Sequence, residues 1–262
     1  MNKYKLRVPD WTIYKMRECE VDFKYILYEK KEGIATITLN RSEKLNALNQ
    51  TLMRELEMTL KDAEADDEVR VVVIRGEGRS FSVGADMSVR EAPVKATPKD
   101  WFHWELEWTR RYRIIMDMHK PVIAAVQGYC LALGLELAAC CDITIASEDA
   151  LFGEPEIRHV SGPPVYILGW MIGRKKAMEM ALTGDMINAK EAYEWGLVNK
   201  VVPREKLDDE VYKLAKKLTM VDPAAIEFNK AAINKQYEIM GIKMAQDYST
   251  AVKCLTMLQG PH

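Results

Sequence analysis

The amino-acid sequence predicts an α/β fold in which a mostly parallel sheet is followed by a helical C-terminal part. Three observations carry that prediction. Apolar, strand-like runs alternate with amphipathic helical stretches through about residue 150. Beyond Pro164 the strand signals fade and helical periodicity takes over. No flexible linker separates the two parts, so they read as continuous.

Taken in order, residues 1 to 23 show no clear periodicity and read as an extension. Tyr25 to Glu29 and Ile34 to Asn40 form two strands of a hairpin, turned at Lys30 to Gly33. Leu48, Leu52, Leu56, Leu60 and Ala63 recur at helical spacing, up to an acidic stop at Ala65-Asp66-Asp67. Val69 to Ile74 is rich in β-branched residues, as a buried strand requires, and closes in Arg75-Gly76-Glu77-Gly78. Asp100 to Met118 is helical and rich in Trp and Arg. Pro121 introduces the apolar strand Val122 to Gln127, and a helix opens at Leu133 beyond its end. Further helices cover Arg174 to Leu182, Ala189 to Trp195, Glu205 to Leu218, Pro223 to Gln236 and Ile242 to Leu258. The chain thus divides into an N-terminal extension over 1–24, a core over 25–200 that holds the site, and a helical region over 201–262.

Bulk properties exclude several classes of function. With 262 residues, 29% charged and a net charge of -2, the chain lacks the basic excess of a general nucleic-acid binder. Arg110, Arg111 and Arg113 near Trp108 read as a solvated helix face, and Arg174-Lys175-Lys176 can still grip a small anion. No apolar run reaches the ~18 residues of a membrane span. The stretch from Met1 to Cys19 has no secretory apolar segment, so a cytoplasmic protein is expected. The five cysteines are odd in number and lack C-x-x-C spacing, and the four histidines are scattered. Neither a disulfide framework nor a metal site is expected.

Three segments hold residues suited to chemistry. Glu136 falls in the first turn of Leu133-Gly134-Leu135-Glu136-Leu137-Ala138-Ala139-Cys140-Cys141-Asp142. An ionised carboxylate in a dry interior costs several kcal/mol unless paired, and a helix N-terminus returns only ~0.3–1 kcal/mol. Such an acid is either poised for proton transfer or turned to a wet edge, and the pattern alone leaves both open. In Phe152-Gly153-Glu154-Pro155-Glu156-Ile157, two glutamates flank a proline that fixes the backbone. Spacing does not say which of them, if either, points inward, and an exposed acidic turn is the simpler reading. Phe81-Ser82-Val83-Gly84-Ala85-Asp86-Met87 places small residues where free N–H groups can meet an oxyanion, or forms an ordinary glycine turn.

In series these segments are more specific than they are singly. Asn40-Arg41-Ser42-Glu43-Lys44-Leu45-Asn46-Ala47-Leu48-Asn49, Ser82 to Asp86, Val126-Gln127-Gly128-Tyr129 leading to Glu136, Phe152 to Ile157, Leu182-Thr183-Gly184-Asp185 and Ala192 to Val198 follow in that order. Together they resemble the crotonase superfamily, also called the enoyl-CoA hydratase/isomerase family, over roughly residues 25 to 235. The resemblance implies a crotonase-type spiral of ββα units with a helical C-terminal trimerisation region, assembled as a homotrimer or a dimer of trimers. It implies an acyl-CoA thioester as substrate, with coenzyme A part of that substrate and no tightly bound cofactor. Ala85 and Leu133 would supply the two backbone N–H donors of an oxyanion hole. Lys44, Ala47 and Leu48 would hold the CoA nucleotide, and Gly84, Asp86, Met87 and Gly134 would complete the substrate site. Glu136 and Glu156 align with the catalytic carboxylates of the family's hydratases, which favours Glu156 over Glu154. The implied reaction is hydration of a 2-enoyl thioester in fatty or aromatic acid degradation. Glu136 would act as base toward water and Glu156 as donor to the α-carbon.

Three departures from the family pattern bear on specificity. Ala132 and Leu133 interrupt the usual run of glycines, so a reshaped pocket is expected beside the oxyanion hole. Ser161-Gly162-Pro163-Pro164-Val165-Tyr166 replaces the usual segment after the second glutamate. The chain ends at His262 without the family's usual terminal segment, so fewer CoA contacts across the trimer are expected. The rival readings are another reaction on the same scaffold (isomerisation, dehalogenation or hydrolysis, with room for a cyclic or aromatic acyl group) and a non-catalytic binding member.

Overall fold

The computed structural model describes residues 2–10, 15–88, 97–159 and 166–258. The stretch that lacked periodicity forms an antiparallel ribbon of β1 (Asn2–Asp10) and β2 (Lys15–Phe23), with Asn2 opposite Phe23. A two-stranded ribbon is marginal alone. This one is pinned by buried Leu6 and Phe23, and by Tyr4, whose ring lies 5.0 Å from Phe23 and 6.3 Å from Tyr28.

Nine further strands among the described residues build the main body. β3 (Ile26–Lys31) and β4 (Ile34–Leu39) form the hairpin read from the sequence, and β5 (Val71–Gly76) and β6 (Val122–Val126) follow. After β7 (Tyr129–Leu131) come β8 (Ile143–Ser147), β9 (Leu151–Gly153), β10 (Met186–Asn188) and β11 (Lys200–Val202). The six-stranded sheet has the order β11-β8-β6-β5-β4-β3, parallel except for the β3–β4 pair. A second sheet, β10-β9-β7, stands beside it. Single bridges continue that second layer, Leu48 to Ala85 and Ser82 to Cys130.

Nine helices complete the described residues: α1 (Gln50–Ala65), α2 (Pro98–Asp117), α3 (Leu133–Ala139), α4 (Leu168–Met171), α5 (Gly173–Thr183), α6 (Ala189–Glu194), α7 (Leu207–Thr219), α8 (Pro223–Ile239) and α9 (Ile242–Leu258). Alternation within β5 explains its β-branched composition. Val71 and Val73 pack with Leu207, Val211 and Ala215 of α7, whereas Val72 and Ile74 join the larger core that includes Leu52, Leu56 and Leu135. Both faces of the strand are buried from Val71 to Ile74, so those four positions are apolar.

Boundaries moved where backbone pairing overrode periodicity. Leu48 lies before α1, because its N–H donates to Gly84 O at 2.7 Å and its carbonyl accepts from Asp86 N at 2.9 Å. Asn49 then caps α1, its side chain accepting from Leu52 N at 2.9 Å. The helix opened at Leu133 ends at Ala139, short of Asp142, and Asp142 instead accepts from Val122 N at 2.7 Å. The loop before α1 has left-handed Leu45 and Asn46 (φ 51° and 55°), a conformation costly for Leu. The fully buried Asn46 side chain holds it, accepting from Arg41 N at 2.9 Å and donating to Glu77 O at 2.9 Å and Ser80 O at 2.8 Å.

Replacing Asn46 by Ala leaves those groups without a partner and is expected to cost about 2–4 kcal/mol of stability. Denaturant unfolding checks this, and a loss below about 1 kcal/mol would contradict the assigned role of the side chain.

Candidate active site

Two loops converge beside the main sheet to place backbone donors. Gly84 takes φ +88°, and a Cβ there would sit 2.5 Å from Ala132 Cβ and 3.2 Å from Leu133 N. That close approach brings the 84–85 turn against the start of α3, where Gly134 in turn packs on Ser82. The N–H groups of Ala85 and Leu133 make no hydrogen bond among the described residues. The loop between β7 and α3 runs through Ala132 at φ 57°, ψ -132°, a region glycine enters freely and alanine does not. Ala132 N donates to Gly153 O at 2.8 Å and Tyr112 OH donates to Leu133 O at 2.9 Å, so two bonds hold the strained turn. The Leu133 side chain, expected to reshape the pocket, is buried in the main core.

Glu136 is fully buried in the first turn of α3, which removes the wet-edge alternative. Its Oε2 accepts from Ile167 N at 3.1 Å, and its Oε1 has no hydrogen-bond partner among the described residues. Burial pushes its pKa well above the usual carboxylate range and the nearby Glu156 adds to this, while the Ile167 N–H and Lys253 oppose it. Of the segment noted as a departure, residues 161–165 lie outside the described residues, Tyr166 ends it, and the next residue, Ile167, donates its N–H to Glu136.

The acidic turn after β9 is not simply exposed. Glu156 is half-buried on a 3₁₀ turn over Pro155–His159 and lies within electrostatic range of Glu136. Glu154, set aside in favour of Glu156, is only 2% exposed. Burial drives its carboxyl well above the ordinary range, with Glu156 and then Glu136 adding to the shift. Tyr166, with φ 40°, is pushed up to about 12 by burial and then by Glu154, Glu156 and Glu136. Lys253 of α9 is the cation that faces Glu136 and Glu154, and it lies 3.8 Å from the buried Glu105 of α2. Sequence periodicity gave no sign of Tyr112 or Lys253, because each reaches the site through tertiary packing, and spacing alone did not distinguish Glu154 from Glu156.

The residues expected to hold a nucleotide lie along one edge of this arrangement. Lys44 is exposed, and no hydrogen bond or ion pair engages its ammonium among the described residues. Ala47 and Leu48 are buried. Met87 is 83% exposed beyond the Ala85 turn. Asp86 is already committed within the protein: it pairs with Arg41 at 2.7 Å and accepts from Ser88 N and Oγ. Burial alone would raise its pKa, but the Ser88 and Arg41 bonds outweigh that and hold it at about 2. Arg41 also donates to Ala47 O at 2.6 Å and lies over the Tyr25 ring, so it clamps the two loops together. No cluster of potential metal ligands occurs among the described residues.

Comparison with known proteins gives concordant matches. The family model described as Enoyl-CoA hydratase/isomerase matches residues 29–254. A probable mitochondrial enoyl-CoA hydratase of Dictyostelium discoideum is 39% identical over 214 residues, covering 80% of this chain and 76% of that protein. A crotonyl-CoA hydratase of Syntrophomonas wolfei is 36% identical, covering 81% and 82%. Among solved structures, an enoyl-CoA hydratase/isomerase from Xanthobacter autotrophicus superposes with a TM-score of 0.88 at 37% identity, covering 92% of this chain and 90% of that one.

Two outcomes follow from the site's geometry. A Gly84→Ala substitution must displace Ala132 and the Leu133 donor. It is expected to lower turnover at least about 100-fold, the scale of losing one oxyanion donor, and a steady-state assay that finds less than a tenfold loss would contradict the placement. A carboxyl with a raised folded pKa binds its proton more tightly in the folded protein. Its contribution to stability is therefore full below pH 4.5, its ordinary value, and is lost as pH rises toward the folded value. Glu136→Gln is expected to gain about 1–2 kcal/mol at pH 8 and almost nothing at pH 4.5, as read by unfolding at both pH values.

Proposed function

The chain belongs to the enoyl-CoA hydratase/isomerase family, and from that premise we propose that it is an enoyl-CoA hydratase working through Glu136, Glu156 and the Ala85 and Leu133 N–H groups. The single observation that supports this most is the buried Glu136. One of its oxygens is held by Ile167 N, the other makes no hydrogen bond among the described residues, and Glu156 lies within electrostatic range.

Hydration of a 2-enoyl thioester moves electrons from the attacking water through the β- and α-carbons onto the thioester oxygen. Ala85 and Leu133 donate to that oxygen as its charge develops, each donor of this kind being worth roughly 10²–10³ in rate. Glu136, ionised, removes a proton from the water as its oxygen bonds to the β-carbon. Glu156, protonated, delivers a proton to the α-carbon as the enolate collapses. One water is added, and the proton on Glu136 must return to Glu156 before the next turnover. Coupling between the buried Glu136 and the half-buried Glu156 allows such a division, because neighbouring like charges favour one protonated and one ionised carboxyl.

Coenzyme A enters as part of the substrate, with Lys44 and the Ala47–Leu48 backbone toward its nucleotide and Gly84, Asp86, Met87 and Gly134 around the thioester end. Asp86 contributes through Arg41 and not as a direct ligand. The protein assembles as a homotrimer or a dimer of trimers, which the exposed Phe228, Ile239, Met244 and Tyr248 on and beside α8 and α9 support. It acts in the cytoplasm on acyl groups from fatty or aromatic acid breakdown.

Glu136→Gln and Glu156→Gln are each expected to lower kcat for crotonyl-CoA by roughly 10²–10⁴. Loss of the conjugated-thioester absorbance measures this, and near-normal hydration by either variant would sink the paired-carboxylate reading.

A further inference from the structure

Two carboxyls suffice for the hydration described above, yet a third lies with them. Glu154 is 2% exposed, and neither of its oxygens meets a hydrogen-bond donor among the described residues. It is separated from Glu156 only by Pro155, whose ring fixes the backbone between them. The Glu156 carboxyl lies within hydrogen-bonding reach. Two carboxylates are acceptors only, so a bond between these groups requires that one retain its proton.

The titratable groups within electrostatic range of Glu154 come from several elements. They are Glu136 on α3, Tyr112 on α2, Cys130 on β7, Tyr166 before α4 and Lys253 on α9. Lys253 is the one cation among them, and it is shared with Glu105 at 3.8 Å. One shared cation cannot balance three ionised glutamates in a dry interior.

We propose that Glu154 is a positioning residue of the active site, which keeps its proton through the working pH range and donates it in a hydrogen bond to Glu156. The role rests on the hydratase reading. When Glu156 gives its proton to the α-carbon it becomes a carboxylate beside the substrate. The Glu154 hydroxyl donates to that new charge and fixes the orientation of Glu156. The proton taken from water by Glu136 later restores Glu156, and Glu154 ends the cycle as it began. Burial and the two neighbouring acids, which both raise its pKa, keep this proton in place.

Two substitutions separate donation from bulk. Glu154→Gln keeps a donor but cannot ionise, and Glu154→Leu keeps the volume without a donor. With a 2-enoyl thioester, the Leu variant is expected to lose about tenfold in kcat with KM within about twofold, and the Gln variant to recover kcat to within about threefold of wild type. The alkaline limb of the Gln variant's pH profile should move to higher pH. Equal losses in the two variants, or an unmoved limb, would overturn the proposal. Carboxyl infrared difference spectra of wild type against Glu154→Gln at pH 7 read the proton without turnover. A protonated-carboxyl band missing from the variant is expected, and a missing carboxylate band overturns the proposal. If the wild-type protein hydrates no thioester, the hydratase reading fails and the infrared result alone decides where the proton sits.

Discussion

Burial of the Glu136 carboxyl in the first turn of α3 is the constraint around which the site is arranged. A carboxylate in that position loses its hydration, and among the described residues it receives a single hydrogen bond, from Ile167 N at 3.1 Å. The first turn of a helix offsets only ~0.3–1 kcal/mol of such a cost. The protein therefore holds a group that binds protons more tightly than any exposed acid would. This destabilises the fold near neutral pH and suits proton transfer there. Stability given up at functional positions is a common trade.

The same segment stores a second kind of strain. Ala132 occupies a backbone conformation that glycine reaches at little cost and that typically costs other residues about 1–3 kcal/mol. It persists because Gly153 O takes its N–H and Tyr112 OH anchors the next carbonyl. The result is a turn that aims Leu133 N toward the space beside Gly84. Two fixed bonds thus hold Ala132 in a conformation that glycine would reach freely. Arg41 does a parallel task on the other loop, tying Asp86 to Ala47 so that the turn carrying Ala85 keeps its place.

Much of this was legible in the sequence, and the reasons differ by element. Helices α1, α2 and α7 to α9 are long enough for periodicity to declare them, and β5 and β6 are buried on both faces, which makes their composition unmistakable. The three-residue strands β7, β9, β10 and β11 were not legible, because so few residues carry no period and pairing alone defines them. Leu48 was drawn into a helix by its spacing, whereas its backbone bonds to 84–86. The N-terminal ribbon was missed for want of alternation. At the site, the order of motifs singled out Glu136 and Glu156. Glu154 was passed over because its importance depends on which way a turn faces, and Tyr112 and Lys253 because they arrive from distant helices.

The central claim concerns where a thioester oxygen sits relative to the buried acids. A crystal structure with a slowly turned-over acyl-CoA ester tests it most directly. The account predicts that oxygen within about 2.7–3.1 Å of both Ala85 N and Leu133 N, with the carbonyl-adjacent carbons between Glu136 and Glu156. A thioester oxygen bonded elsewhere, with either N–H left unused, would contradict it.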